Sequence, residues 1–309
     1  MNRSGRSPAI GRGLWLCTGS AVLMIACGDP LLDPQRIQGL RVLGARVEVE
    51  GSPLEARPAP GEAATVRFWV VDPDGPALPS WALRVCVAEP TSYGAPICAS
   101  PPFASAEQLL AGASEPTLDF QVPEGPELQG ASHLAVWGVV CADGRPAIGE
   151  DLEASACSDG AGVRVSFDVT LRGDDGNVNP DLASARVSLD GLMLEELPAT
   201  VPCSELPPVA AGSGEHQLEL QLGESVRERL PGAGSSGVET LLVSQFSTLG
   251  LLDRRFSELL PETSDLRVSV PWEAPAEVVE PTVGWFFLVL RDHRGGAGFI
   301  GRAVCVVPR

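Results

Sequence analysis

Asp174-Asp-Gly-Asn-Val-Asn-Pro-Asp181 gathers hard oxygen donors at short spacing around a glycine turn, a chemistry that suits calcium. The ligands it offers are Asp174, Asp175, Asn177, Asn179 and Asp181. The upstream positions are Leu171 and Gly173, and no Glu closes the loop. A hairpin turn held by Asx hydrogen bonds is therefore the favoured reading, and no metal or other cofactor is expected. His133, His216 and His293 stand far apart with no His-x-x-x-His pair, which reads as incidental rather than as a zinc site. Gly212-Ser-Gly214 and Gly234-Ser-Ser-Gly237 read as loops, since neither is the Gly-x-Ser-x-Gly of a nucleophile elbow. Glu195-Glu196 is a carboxylate pair, but among 40 acidic residues adjacency has no specificity for glycoside hydrolysis. Trp69, Trp81 and Trp137 would make a sugar platform if exposed. Trp69 alternates against Phe68 and Val70, so it points away from its strand's core face, where a second sheet is the favoured cover.

Six cysteines follow Cys27: Cys86, Cys98, Cys141, Cys157, Cys203 and Cys305. With no Cys-x-x-Cys among them, an even count in an exported chain reads as three disulfides out of fifteen pairings. Cys86–Cys98 and Cys141–Cys157 are expected because they close short loops, each worth about 3 kcal/mol of chain entropy. Cys203–Cys305 is expected to tie the ends of a domain, worth about 4.7 kcal/mol.

The chain has no lysine; all 22 basic residues are Arg. That excludes a P-loop lysine, a Schiff-base lysine and a Ser-Lys pair. The formal charge is −18, and residues 1–26 hold three Arg and no acids, so the remainder carries −21. Such a balance argues against nucleic acid and against docking on anionic lipid, both of which need clustered cations.

The elements that have to position these groups are strands. In Gly162–Arg172, Val163, Val165, Phe167, Val169 and Leu171 alternate with Arg164, Ser166, Asp168, Thr170 and Arg172. Similar alternation marks Ala45–Glu50, Thr65–Val71, Trp81–Val87, Leu118–Val122, Leu134–Cys141, Ala185–Leu189, Leu218–Leu222 and Leu266–Trp272. Trp285–Leu290 is apolar on both faces, as in a central sandwich strand. Five Asp-Gly dipeptides, beginning at 74, 143, 159, 175 and 190, supply residues that tolerate positive φ in tight turns. The expectation is an all-β chain. Only Ser105–Gln108, as a capping box before Leu109-Leu110, and the Leu249, Leu252, Phe256, Leu259 spacing suggest helical turns.

Arg3, Arg6 and Arg12 precede the apolar run Leu14–Ala26, which is too short to span a bilayer and ends at small or aliphatic residues before Cys27. This is the form of a secretory signal. Met24-Ile25-Ala26-Cys27 followed by Gly28-Asp29-Pro30 resembles the lipobox of bacterial lipoproteins, with Met24 where Leu is usual. The resemblance implies that Cys27 becomes the mature N-terminus, carries several acyl chains and anchors the protein in a membrane. Asp directly after the cysteine favours inner-membrane retention in some bacteria of this class. Here that position is Gly28, which points to the outer membrane.

Asn177-Val-Asn-Pro180 leading to Val187-Ser-Leu-Asp-Gly191, and Phe287–Gly296 with Gly298-Phe299, resemble Ig-like or PKD-like modules. With the lipobox they are similar to uncharacterised lipoproteins of myxobacteria. The expected organisation is signal peptide 1–26, tether 27–36, and two Ig-like β-sandwich domains at 37–160 and 161–309. The expected role is a lipid-anchored cell-envelope protein acting in adhesion, structure or assembly on a protein or glycan partner, not an enzyme. The alternative is a carbohydrate-binding or hydrolytic surface lipoprotein using scattered carboxylates and Trp69.

Overall fold

The computed structural model describes residues 33–309 apart from 90–93, 113–114, 129, 160, 197, 199 and 231–236. The signal segment 1–26, the lipidation position Cys27 and the tether as far as residue 32 lie outside the described residues. Among the described residues the regular structure is strand, with single 3-10 turns at Pro126–Leu128, Cys203–Glu205 and Glu224–Val226.

The N-terminal half contains β1 (Arg41–Val49), β2 (Ala63–Asp72), β3 (Gly75–Pro76), β4 (Ser80–Glu89), β5 (Ile97–Cys98), β6 (Ala104–Gln108), β7 (Thr117–Gln121), β8 (His133–Cys141), β9 (Pro146–Ala147), β10 (Ala156–Cys157) and β11 (Gly162–Thr170). The C-terminal half contains β12 (Arg186–Leu189), β13 (Leu192–Leu194), β14 (Pro208–Ala210), β15 (Glu215–Gln221), β16 (Leu241–Ser247), β17 (Leu251–Leu252), β18 (Phe256–Leu259), β19 (Arg267–Glu273), β20 (Thr282–Arg291) and β21 (Ala297–Val307).

These strands form four principal sheets. The first runs β11-β8-β4, with β5 and β6 on the far edge of β4; the second joins β1, β3 and β7 around β2. The third runs β14-β21-β20-β16-β18, and the fourth β13-β12-β15-β19-β17. Pairing is antiparallel except for β14 against β21.

Three apolar layers separate the four sheets. Between the first and second lie Phe68, Leu83, Leu118 and Leu134. Between the third and fourth lie Leu218, Leu220, Trp272, Phe286 and Leu288. The middle layer joins the second sheet to the third through Leu43 and Val71 on one side and Trp285, Phe287, Val289 and Ala303 on the other. Each such side chain contributes roughly 1.5–3 kcal/mol through its removal from water. The two-faced apolar pattern of β20 now has its cause. Trp285, Phe287 and Val289 serve the middle layer, while Phe286, Leu288 and Leu290 serve the C-terminal core. Residues Asp33–Arg309 accordingly form one compact unit.

The strand β11, expected to open the second module after a boundary at 160/161, instead lies against β8 along its whole length, from Gly162↔Cys141 to Thr170↔His133. Its inward residues Val165 and Val169 complete the N-terminal core. The chain passes to the C-terminal half only after Leu171.

Both helical expectations are corrected. Ser105–Gln108 belongs to β6, where pairing with β4 outweighs the local capping pattern. Leu252 and Leu259 are buried from β17 and β18, strands of different sheets, so their helix-like spacing comes from a chain crossing between layers. The disulfides are Cys86–Cys98, Cys141–Cys157 and Cys203–Cys305, the pairing expected from spacing.

Candidate functional site

The β12–β13 hairpin turns on two residues, Asp190 and Gly191, whose φ angles of 50° and 80° are those of a type I′ turn. That left-handed conformation carries the Asp190 carboxylate onto the neighbouring strand β15. Asp190 Oδ1 accepts the amide of Gln217 at 2.8 Å, and Oδ2 lies 2.6 Å from His216 Nδ1. These contacts, the backbone amide first and the imidazole second, hold the carboxyl below the usual carboxylate range.

On its other side, His216 Nε2 lies 2.7 Å from Ser213 Oγ. Ser213 closes the tight turn after β14, its amide donating to Ala210 O at 3.2 Å, between Gly212 and Gly214 at φ 62° and 99°. The His216 ring also rests on Trp272, with centroids 5.7 Å apart. Serine, imidazole and carboxylate thus stand in hydrogen-bonded sequence. They border a cavity of about 250 Å³ whose apolar wall includes Leu189, Leu192, Leu194, Pro208, Val209 and Val304.

In the sequence Gly212-Ser-Gly214 reads as a loop and His216 as incidental, and nothing local connects Asp190 to either. The Ser-x-x-His spacing and the Asp-Gly turn were both visible. Their convergence depends on β12 pairing with β15, which brings Leu189 opposite Leu218.

The oxygen-rich string 174–181 does different work. It crosses the junction between the halves and stitches them together. Asn179 Nδ2 donates to Val47 O at 2.6 Å, and its Oδ1 accepts from Ala297 N at 3.0 Å. Asn177 Nδ2 donates to Asp292 Oδ2 at 2.8 Å, while the Asn177 carbonyl accepts from Ala56 N. Asp175 pairs with Arg57 and Arg294, and Asp181 Oδ1 accepts the amide of Ala183. Asp174 is exposed at the turn. Both asparagines are buried; Asn179 is satisfied at both ends of its amide, while Asn177 is held through Nδ2 and its Oδ1 has no hydrogen-bond partner among the described residues. Among the described residues no group of three or more His, Cys, Asp or Glu is placed to hold a metal ion.

Arg294 extends this junction by pairing with Glu228 at 2.8 Å and approaching Glu239 at 3.8 Å. Glu239 is 3% exposed. Burial, aided by the neighbouring Asp292 and Glu228 charges, raises its pKa to about 7 against the lowering effect of the Glu228 amide and Arg294.

The three tryptophans do not form a platform. Trp81 is buried in the N-terminal core. Trp137 is buried on the outer face of the first sheet, donating from Nε1 to Cys98 Sγ. Trp69 packs in the middle layer, 5.3 Å from Phe287 and 5.0 Å from Phe299 between ring centroids. Its remaining edge lines a cleft of about 520 Å³ that also contains Arg67, Glu115, Glu196 and Arg302. His133 pairs with Asp168 on the surface, and His293 occupies a turn at φ 61°.

No protein-family model matches this chain, and no curated protein matches it at a significant level.

Proposed function

We propose that this chain is a lipid-anchored protein of the cell envelope, held in the outer membrane by acyl chains on Cys27. Its body of two Ig-like sandwiches serves adhesion or assembly, a structural role. The observation that supports this reading best is the middle apolar layer. It makes the two sandwiches one stiff body instead of two modules on a hinge. Three disulfides suit an oxidising compartment outside the cytoplasm.

The position of Ile37 bears on the anchor. Ile37 is 1% exposed in the middle layer, and its amide donates to Ser247 O. Nine residues, 28–36, therefore lie between Cys27 and this point of the folded body. At about 3.3–3.6 Å per residue, they hold it within roughly 35 Å of the bilayer. Several acyl chains are needed for lasting attachment, because one alone binds only marginally.

The test is Cys27→Ala expressed beside the parent chain with labelled palmitate. Label and membrane association lost together support the anchor; label retained by the variant sinks it.

A second reading, glycan binding, is favoured by the cleft where Trp69 and Trp285 meet Arg67, Glu115, Glu196 and Arg302. The edge of Trp69 beside the Arg67–Glu115 ion pair offers an apolar contact and polar groups to a sugar ring and its hydroxyls. Titration calorimetry with envelope polysaccharide, on the parent and on Trp69→Ala, decides between the two.

A further inference from the structure

We propose that Ser213, His216 and Asp190 form a nucleophile–base–orienter relay that cleaves short-chain carboxylic esters. This activity goes beyond the structural role above and does not depend on it.

Both links of the relay are within the reach required for proton transfer, at 2.7 Å and 2.6 Å. The hydrogens can be assigned from their partners. Asp190 Oδ2 accepts only, so the hydrogen of a neutral imidazole sits on Nδ1 and leaves the Nε2 lone pair facing Ser213 Oγ. The Ser213 hydroxyl also donates to Ala210 O at 2.6 Å, a carbonyl whose two lone pairs serve both this hydroxyl and the Ser213 amide. The hydroxyl thus has two acceptors within reach, and rotation about its Cβ–Oγ bond carries its hydrogen from Ala210 O to Nε2, the arrangement that activates an alcohol.

Neither local motif needs the other. A serine that closes its own turn requires only Ala210 O, and a type I′ hairpin pinned to β15 requires only Asp190 and the Gln217 amide. The meeting of Nε2 with Oγ serves neither purpose, and it occurs where Ser213 is exposed beside an apolar cavity.

The surroundings select the substrate. A cavity of about 250 Å³ walled by Leu192, Leu194, Val209 and Val304 suits a short acyl or alkyl group. The amides of Ala211, Gly212 and Ser213 already donate to Val307 O, Pro275 O and Ala210 O. Those three amides are therefore spent and do not serve an oxyanion hole, in which one donor is worth about 10²–10³-fold in rate. The relay is thus confined to esters with good leaving groups, and amides are outside its range.

In the first half-reaction, Ser213 Oγ bonds to the ester carbonyl carbon while its proton passes to His216 Nε2. The carbon–oxygen bond to the alcohol then breaks, and Nε2 returns the proton to the leaving oxygen. In the second half-reaction, water gives a proton to Nε2 and attacks the acyl-serine. The carboxylic acid departs and Ser213 regains its hydrogen.

The experiment uses the full mature chain with an alkyl fluorophosphonate and with p-nitrophenyl butyrate. The parent should carry one phosphonyl adduct, mapped to the peptide containing Ser213. It should also hydrolyse the ester about 10²-fold faster than Ser213→Ala or His216→Ala, the scale of general-base assistance. Asp190→Asn should lower the rate while leaving the adduct site unchanged. Melting curves accompany every variant. Ser213→Cys preserves the turn and should accumulate a butyryl thioester, so a misfolded alanine variant does not end the test. Absence of the Ser213 adduct, or hydrolysis unchanged in both alanine variants, overturns the proposal.

Discussion

Gly75 lies against the indole of Trp285, so close that a Cβ at position 75 would stand 2.5 Å from Trp285 Nε1. The two residues belong to different halves. Gly75 follows Asp74 in the tight turn between β2 and β3, and Trp285 rises from β20 into the middle layer. The turn therefore does more than reverse the chain: it is a flat seat for the C-terminal half.

Gly75→Ala should destabilise the protein by roughly 2–4 kcal/mol. Two costs add, since φ at Gly75 is 132° and the added methyl meets a buried ring stacked on Phe287. Urea unfolding of the variant measures the loss. A free energy within 0.5 kcal/mol of the parent (about the scatter of surface substitutions) would show that the indole simply steps aside.

The expected strands are present because alternation survives wherever one face meets apolar side chains and the other meets water. It fails to announce strands with polar residues inside. In β16, Gln245 and Ser247 occupy inward positions beside Leu241 and Val243, so Leu241–Ser247 does not read as a strand despite its regular burial. The site was less legible for a related reason. Asp190, Ser213 and His216 are ordinary turn and strand residues singly, and the register of β12 on β15 is what brings Asp190 to the other two. The string 174–181 showed the opposite fault. Its polar composition was plain, but the buried amides of Asn177 and Asn179 serve the junction between halves, which no local pattern encodes.

Adding calcium should leave the melting temperature unchanged, because a ligand stabilises only what it binds in the folded state. An ion at a hundredfold excess over its dissociation constant would add about 2.7 kcal/mol, readily seen by calorimetry. Asn179→Ala, in contrast, should cost about 2–4 kcal/mol, since it strands the Val47 carbonyl and the Ala297 amide without their buried partner. A calcium-dependent rise in melting temperature that Asp175→Ala abolishes would restore the metal reading of this segment.

Glu239 makes stability depend on pH in the direction opposite to most carboxylates. Burial raises its pKa in the fold to about 7, above the unfolded value, so the native state holds the proton more tightly. Its contribution is complete below the ordinary carboxylate range, declines as pH rises towards 7 and is lost above it. The decline should amount to about 2–3 kcal/mol between pH 4.5 and 8. Glu239→Gln should remove most of that slope while keeping an acceptor for the Glu228 amide. Parallel slopes for parent and variant in urea titrations across this range would assign the ionisation elsewhere.

Cys203 and Cys305 should couple stability to the reactivity of Ser213. The disulfide spans 102 residues and joins the turn before β14 to β21, the strand against which Pro208–Ala210 pairs in parallel. Chain-entropy reasoning assigns a loop of that length about 4.7 kcal/mol, so Cys203→Ser/Cys305→Ser should unfold at markedly lower urea. The serine turn begins where β14 ends, with Ala211 N still donating to Val307 O. Without the bridge the turn is held by this short parallel pairing and by the backbone bonds of Gly212 N to Pro275 O and Ala274 N to Gly214 O, a weaker anchorage from which Ser213 should drift away from His216 before the core gives way. Phosphonylation of the folded double variant should therefore be slower than that of the parent under conditions where both retain native circular dichroism. Equal labelling rates in the two folded proteins would show that strand pairing alone fixes the turn.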